Sequence, residues 1–409
     1  MQRRPYTGTD YRKALNIHDL ERIARRRLPN FVFEYLYGGS DDEQTLRHNR
    51  AVFDDYLFEP LTLTRVEPRD LTTSLLGKSH AMPLVIGPTG FNGMLTRHGD
   101  VKLARAATRH GIPFVLSNVA TSSLEEIAAL EGVTAWMQIY FYRDRDYVRK
   151  LIERCRAAEY EAIVITTDSA IYGNREWDLR NFRKPMQLNL RNLLHLLTRP
   201  RWITDVLIPD GIPTFKNLGD LLPPGKQSVQ GASAVIGQQL DPSLNWEDIA
   251  WLRDHWPGKL ILKGIIAPSE AEHAAALGVD GVVLSNHGGR QLNHSLSPLD
   301  VLPEAKRRVG DRCQIFVDSG FRRGTDVVKA LALGADAIWL GRATLYGLAA
   351  GGQAGAEHAL GLLRGEIDRT LGLLGCSRLD ELGEGHVRRY PQVVPPVEKQ
   401  RSQSWQTAL

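Results

Sequence analysis

From residue 84 onward, short apolar runs alternate with longer segments rich in alanine, leucine and charged residues. The runs at 84–88, 113–116, 135–139, 162–167, 260–263, 281–284, 315–317 and 337–340 predict strands. Several are apolar without a break, as strands are when both faces of a parallel sheet are buried. Three intervening segments end alike, in AATRHGIPFVL, AAALGVDGVVL and ALALGADAIWL. In each, a helix-forming stretch meets a glycine, suited to the left-handed residue that ends many helices, and a strand follows. The unit is therefore a strand followed by a helix. Its variable length argues against a solenoid.

Eight such units suit a closed α/β barrel, the (β/α)8 or TIM architecture; a doubly wound open sheet is the competitor. Thr89, Ser117, Gln138, Asp168, Lys263, His287, Asp318 and Arg342 lie at or just after the ends of these strands. In a barrel those ends open on one mouth, so residues 200 positions apart share a site. Residues 12–28 read as an amphipathic helix and the stretch after Pro29 as a second, stopped by Gly38 and Gly39, together an amino-terminal helical cap.

The rhythm breaks after the fourth strand, between about 181 and 239, an interval too long for a plain loop. There Leu190, Leu193, Leu194 and Leu197 form a helical stripe near Arg191, Arg199, Arg201 and Trp202. Such a segment suits a membrane surface, a cover for the barrel or an oligomer contact. Residues 1–390 are expected to form one domain that includes this insertion, and 391–409 a flexible tail.

A hydrophobic content of 43% provides for a substantial core, and a net charge of +4 is compatible with anionic small molecules or an anionic membrane. Nucleic acid is not expected as a partner. The 3 cysteines lie far apart without CxxC spacing, which argues against a disulfide framework, a zinc ribbon or haem attachment, and no metal site is expected. Neither a signal peptide nor an apolar run of about 18 residues is apparent, so a cytoplasmic location is the default.

The segment Ser285-Asn286-His287-Gly288-Gly289-Arg290-Gln291 places a histidine and an arginine around two glycines at a strand end. Histidine is the natural base near neutral pH, and arginine offers a planar fork to a carboxylate. Asp168, after Thr166-Thr167, is placed to orient His287, and Arg175 adds a cation; the plainer reading is an Asp168–Arg175 ion pair closing the loop. Lys263 directly follows apolar residues and needs an anionic or electron-rich partner. A Schiff-base lysine, giving an aldolase-like barrel, is its rival role. Asp318-Ser319-Gly320-Phe321-Arg322-Arg323-Gly324 and Gly341-Arg342 follow the last two strands, where barrels often hold phosphate.

In this order the residues resemble the FMN-dependent L-2-hydroxy-acid dehydrogenase and oxidase family. SNHGGRQL at 285–292 matches its active-site signature, with GPTG at 87–90, QIY at 138–140, LKG at 262–264, DSGFRRG at 318–324 and LGRATLYG at 340–347 in support. The likeness runs from about residue 9 to 380. It implies oxidation of an L-2-hydroxy acid to the 2-keto acid, with His287 as base and Asp168 its partner. Arg175 and Arg290 would hold the substrate carboxylate, with Tyr35 and Tyr140 bonding the carboxylate or hydroxyl. Lys263 would lie beside the flavin. Pro88, Thr89, Gly90, Ser117, Gln138, Thr166 and Ser285 would contact FMN, and Asp318, Gly320, Arg322, Gly341 and Arg342 its ribityl chain and phosphate.

PTGFNG at 88–93, TTDSAIYGNREWDLRNF at 166–182 and RPRW at 199–202 favour the family's membrane-associated, mandelate-oxidising branch. Gly90, alanine in the family's oxidases, implies a dehydrogenase passing electrons to a quinone or another acceptor rather than making hydrogen peroxide. Val119 stands where short-chain oxidases have tryptophan, leaving room for an aromatic substrate, whereas Tyr172 departs from a small residue in that branch. (S)-Mandelate is the expected substrate and L-lactate the alternative. The resemblance further implies a homotetramer held peripherally on the cytoplasmic side of the inner membrane, with a soluble cytoplasmic enzyme as alternative.

Overall fold

A computed structural model of the protein describes residues 5–184, 187–222 and 229–390. The tail expected at 391–409 lies outside the described residues. Eight parallel strands close into a barrel in chain order: β1 (Leu84–Ile86), β2 (Phe114–Ser117), β3 (Ala135–Tyr140), β4 (Ala162–Thr166), β5 (Lys259–Ile265), β6 (Gly281–Leu284), β7 (Gln314–Val317) and β8 (Ala337–Leu340). Closure excludes the open-sheet competitor. The three helix-ending glycines, Gly111, Gly278 and Gly334, have φ of +63°, +75° and +102°, a conformation that a side chain would strain.

Alternate residues of each strand face in or out, and both sets are mostly apolar, with Ser117, Gln138, Thr166 and Lys263 the buried polar exceptions. Val85, Val115, Val164, Ile261 and Val283 point into the barrel with Trp136, Phe316 and Trp339, whose ring centroids are 5.6–6.2 Å apart. Truncating a buried ring of this kind typically costs about 3–5 kcal/mol. The outward residues meet the surrounding helices in the larger core.

The cap consists of helices α1 (Ile17–Arg27), α2 (Asn30–Tyr37) and α3 (Gln44–Ala51). α1 starts at Ile17 rather than at 12, because Asn16 caps it by accepting from the Asp19 amide. Residues Tyr11–Lys13 form a separate 3-10 turn capped by Asp10. α1 buries Ile17, Leu20, Ile23 and Ala24 and packs on the final helix, Arg342–Leu373.

The insertion follows β4, as expected, and carries its own elements: a small antiparallel sheet of Phe182–Lys184 with Gln187–Leu188, the helix Leu190–Leu197, a winding stretch to Asp210 and the helix Val229–Gln239. Trp202 does not belong to its exposed apolar stripe. Its side chain is buried, donates to the Met94 carbonyl at 2.7 Å and meets Phe31 of α2 edge to face. Its indole N–H requires a partner once buried, and this carbonyl provides one. Arg199 adds a bond to the Leu28 carbonyl at 3.2 Å. Leu190, Leu193, Leu194 and Leu197, by contrast, are all exposed.

Candidate active site

The carboxyl ends of the strands bring His287 and Asp168, distant in sequence, into contact. His287 Nδ1 lies 3.0 Å from Asp168 Oδ1. The backbone of His287 is left-handed, with φ of +59°, and Gly288 and Gly289 continue at +66° and +74°. A β-carbon at Gly264, φ +106°, would come within 2.7 Å of Asp168 Cγ, so glycine after Lys263 lets the carboxylate approach. The alternative Asp168–Arg175 ion pair is not formed: Asp168 serves His287.

Burial lowers the basicity of His287, the Asp168 charge and hydrogen bond oppose this, and the net shift is downward. Burial raises the Asp168 carboxyl, but the charge and hydrogen bond of His287, with Lys263, bring it below its ordinary value. Near neutral pH the pair is therefore a neutral imidazole and a carboxylate. With the Nδ1 proton donated to Asp168, Nε2 carries a lone pair.

Lys263 is 5% exposed; its Nζ lies 2.9 Å from Asp318 Oδ2 and donates to Ser285 Oγ at 2.8 Å. Ser117, Gln138 and Thr166 form a ladder across β2, β3 and β4: Ser117 Oγ donates to Gln138 Oε1 at 2.8 Å, and Gln138 Nε2 donates to Thr166 Oγ1 at 2.9 Å. Tyr140 ends β3, and burial raises its phenol so that it stays protonated.

Positive charge gathers opposite. Arg290 Nη1 donates to the carbonyls of Tyr35 and Gly38 at 2.8 and 2.9 Å. Arg342 donates to the carbonyls of Leu36, Gly288 and Gly38 at 3.0, 2.8 and 2.8 Å. Both guanidinium groups thus satisfy carbonyls left open at the carboxyl end of α2, with donors to spare. Burial, aided by Arg175, pushes Arg290 down to about 9, and burial pushes Arg342 down to about 10. Among the described residues, the one carboxylate in ion-pair range of Arg175, Arg290, Arg322 or Arg342 is Asp178, 3.8 Å from Arg290. Such an excess of cations suits anionic ligands.

Tyr35 projects from α2, its ring 5.1 Å from the Arg290 guanidinium carbon and its hydroxyl 3.5 Å from the Gly90 carbonyl. Thr89 and Gly90 follow β1, and a β-carbon at Gly90 would lie 2.6 Å from Val119 Cγ2. Tyr172 is partly exposed beside Gly237 of the insertion, with Arg175 5.7 Å from its ring centre.

Two supports escaped the sequence reading. Gln291 donates to the Asp168 carbonyl at 2.6 Å and accepts from the Gly173 amide at 3.0 Å, tying the Asp168 loop to the His287 loop. Asn286 and Asn49 of α3 exchange two hydrogen bonds of 2.8 Å, joining the cap to the strand end. Gln291 stood inside the signature. Asn49 had no local signal, because its partner lies 237 positions away.

A family model described as FMN-dependent dehydrogenase matches residues 24–389. The chain is 43% identical over 374 residues to (S)-mandelate dehydrogenase of Pseudomonas putida, covering 91% of this chain and 93% of that one. It is 39% identical over 373 residues to L-lactate oxidase of Nostoc, covering 90% and 96%.

The chain belongs to the FMN-dependent dehydrogenase family.

A crystal structure of the monotopic membrane protein (S)-mandelate dehydrogenase superposes with a TM-score of 0.88 at 42% identity, over 92% of this chain and 100% of that one. The protein is an FMN-dependent 2-hydroxy-acid dehydrogenase on a (β/α)8 barrel. The residues present fit the cofactor. The ladder from Ser117 to Thr166 offers oriented polar groups, and Lys263 is a buried cation. Gly341 caps the start of the final helix with Arg342 and buried Arg322, the donor set that a phosphate requires.

Proposed function

We propose that this enzyme oxidises (S)-mandelate or a related aromatic L-2-hydroxy acid to the 2-keto acid and passes the electrons to a quinone. The observation that carries the reaction class is the His287–Asp168 pair facing arginines with few carboxylate partners. The aromatic preference rests on Val119, a modest side chain beside Gly90, and on the similarity to the Pseudomonas putida enzyme.

In this reading Arg175 and Arg290 hold the substrate carboxylate, each with donors that the protein leaves open. Tyr35 and Tyr140 orient the carboxylate and hydroxyl. His287 Nε2 receives the proton released as the carbinol becomes a ketone, and Asp168 stabilises the resulting imidazolium. Bound FMN supplies the two-electron acceptor. Lys263 would set its positive charge beside the flavin ring, and Pro88, Thr89, Gly90, Ser117, Gln138, Thr166 and Ser285 would be the other ring contacts. Asp318, Gly320, Arg322, Gly341 and Arg342 serve the ribityl phosphate.

Anaerobic mixing with (S)-mandelate and, separately, L-lactate, followed at the flavin band, tests the substrate. Faster and tighter bleaching by mandelate is expected. Preference for lactate overturns the aromatic assignment and leaves the reaction class standing.

We further infer peripheral attachment to the cytoplasmic face of the inner membrane through the exposed leucines of Leu190–Leu197, flanked by exposed Arg191 and Arg201. No described helix is long and apolar enough to cross a membrane. Leu193→Glu with Leu197→Glu should abolish co-sedimentation with vesicles containing anionic phospholipid, since each charge opposes insertion of the stripe. Flavin reduction by substrate should stay within about twofold, the size expected of surface changes remote from the site. A homotetramer, proposed from the family resemblance, is tested by light scattering.

A further inference from the structure

Asp100 is a buried carboxylate for which the reaction proposed above has no use. It is 0% exposed and stands in the first turn of the helix Gly99–Arg109, beneath the loops that follow β1 and β2. No cation pairs with it among the described residues. Four donors converge on it instead. Asn92 Nδ2 donates to Oδ1 at 2.7 Å. Oδ2 accepts from the Thr121 amide at 2.9 Å, the Thr121 hydroxyl at 2.6 Å and the Ser122 amide at 3.2 Å.

Burial raises the carboxyl above its ordinary value, and these four bonds oppose the rise. The Asn92 amide and the two backbone amides donate to the carboxyl, and with the helix amino terminus they favour the anion against burial. The surroundings are built to admit it. A β-carbon at Gly99 would lie 2.3 Å from the Asn92 carbonyl, so only glycine lets this helix start so close to the loop.

The donors belong to two loops that bear on the site. Asn92 Nδ2 also donates to the Thr89 carbonyl and hydroxyl at 2.9 and 3.0 Å. Thr121 Oγ1 accepts from the Gly93 amide at 3.0 Å, and the Phe91 amide donates to the Val119 carbonyl at 3.0 Å. Gly90 and Val119 are thereby pressed together until no methyl group fits between them.

We propose that Asp100 is a positioning residue: it clamps the β1 and β2 loops together and so sets the Gly90–Val119 spacing on which the shape of the substrate pocket depends. The substrate part of this inference rests on the function proposed above; the clamp itself does not.

A double-mutant cycle tests it. Gly90→Ala alone should destabilise the holoenzyme, because its methyl must displace Val119. Thr121→Val removes one donor to Asp100, and with it the acceptor of the Gly93 amide, while keeping the side-chain shape; Asp100→Asn is the stronger variant. Where either loosens the clamp, the added methyl is accommodated, and the fall in melting temperature caused by Gly90→Ala should shrink by at least about half. Thr121→Val should also raise KM for the aromatic acid by about tenfold, with kcat held within about twofold, since His287 and Asp168 lie on other strands.

Additive melting-temperature changes, or equal losses in kcat and kcat/KM, overturn the proposal. The cycle reads unfolding and needs no substrate. Coupling in an enzyme whose flavin no 2-hydroxy acid reduces would sustain the clamp and sink the functional reading instead.

Discussion

Replacing His287 by glutamine should lower the rate of flavin reduction by about 10⁴-fold while FMN stays bound, because a positioned general base contributes up to about that factor. Glutamine keeps polarity and approximate volume but has no lone pair able to take a proton near neutral pH. Stopped-flow reduction measures the rate, and the absorbance of the purified protein reports cofactor content. A variant that retains more than about a tenth of the rate removes His287 from the base role. The pH profile provides a second check. Since burial and the neighbouring cations outweigh Asp168 and hold His287 below its ordinary value, the neutral base persists to lower pH than a free histidine would. Reduction should therefore decline only as the pH falls through that lowered value, below where a free histidine would titrate. Asp168→Asn should move the decline to still lower pH and cut the plateau, since it removes the charge that raises the basicity of His287 and stabilises its protonated form.

The second large effect is expected at Arg290. Arg290→Met should reduce kcat/KM by about 10³-fold, the scale of losing two charge-assisted hydrogen bonds to a carboxylate. Because Arg290 also binds the carbonyls of Tyr35 and Gly38, this variant should lose thermal stability too. Arg175 separates the two effects. It makes no ion pair among the described residues, and its guanidinium donates only weakly, at 3.5 Å, to the Arg290 carbonyl. Arg175→Met should therefore raise KM by about tenfold to a hundredfold with an unchanged melting temperature. A loss of stability at Arg175 without a change in KM would assign both arginines to structure and leave the substrate carboxylate without a partner.

Much of this protein can be read along the chain because a parallel barrel is locally encoded. Each strand is a largely apolar run buried on both faces, and three of the helices between strands end at a glycine whose left-handed backbone a side chain would strain: Gly111, Gly278 and Gly334. Residues just past strand ends must share a mouth once the barrel closes, so His287, Asp168, Lys263 and the arginines were marked as one site by position and chemistry alone. The local signals were weaker where one residue serves two distant elements. Trp202 lies just beyond a leucine stripe in a segment that suits a surface, yet its indole is buried against the Met94 carbonyl.

Only the tertiary structure decided how the charges are apportioned: Asp168 to His287 rather than Arg175, Asp318 to Lys263, and Arg290 with Arg342 to the open end of α2. The same holds for Asp100, an ordinary acidic residue at a helix start in the sequence and a buried carboxyl joining two loops in the fold. Sequence periodicity reports which face of an element is buried. Which donor meets which acceptor depends on contacts between elements far apart in the chain, and those exist only once the barrel has closed.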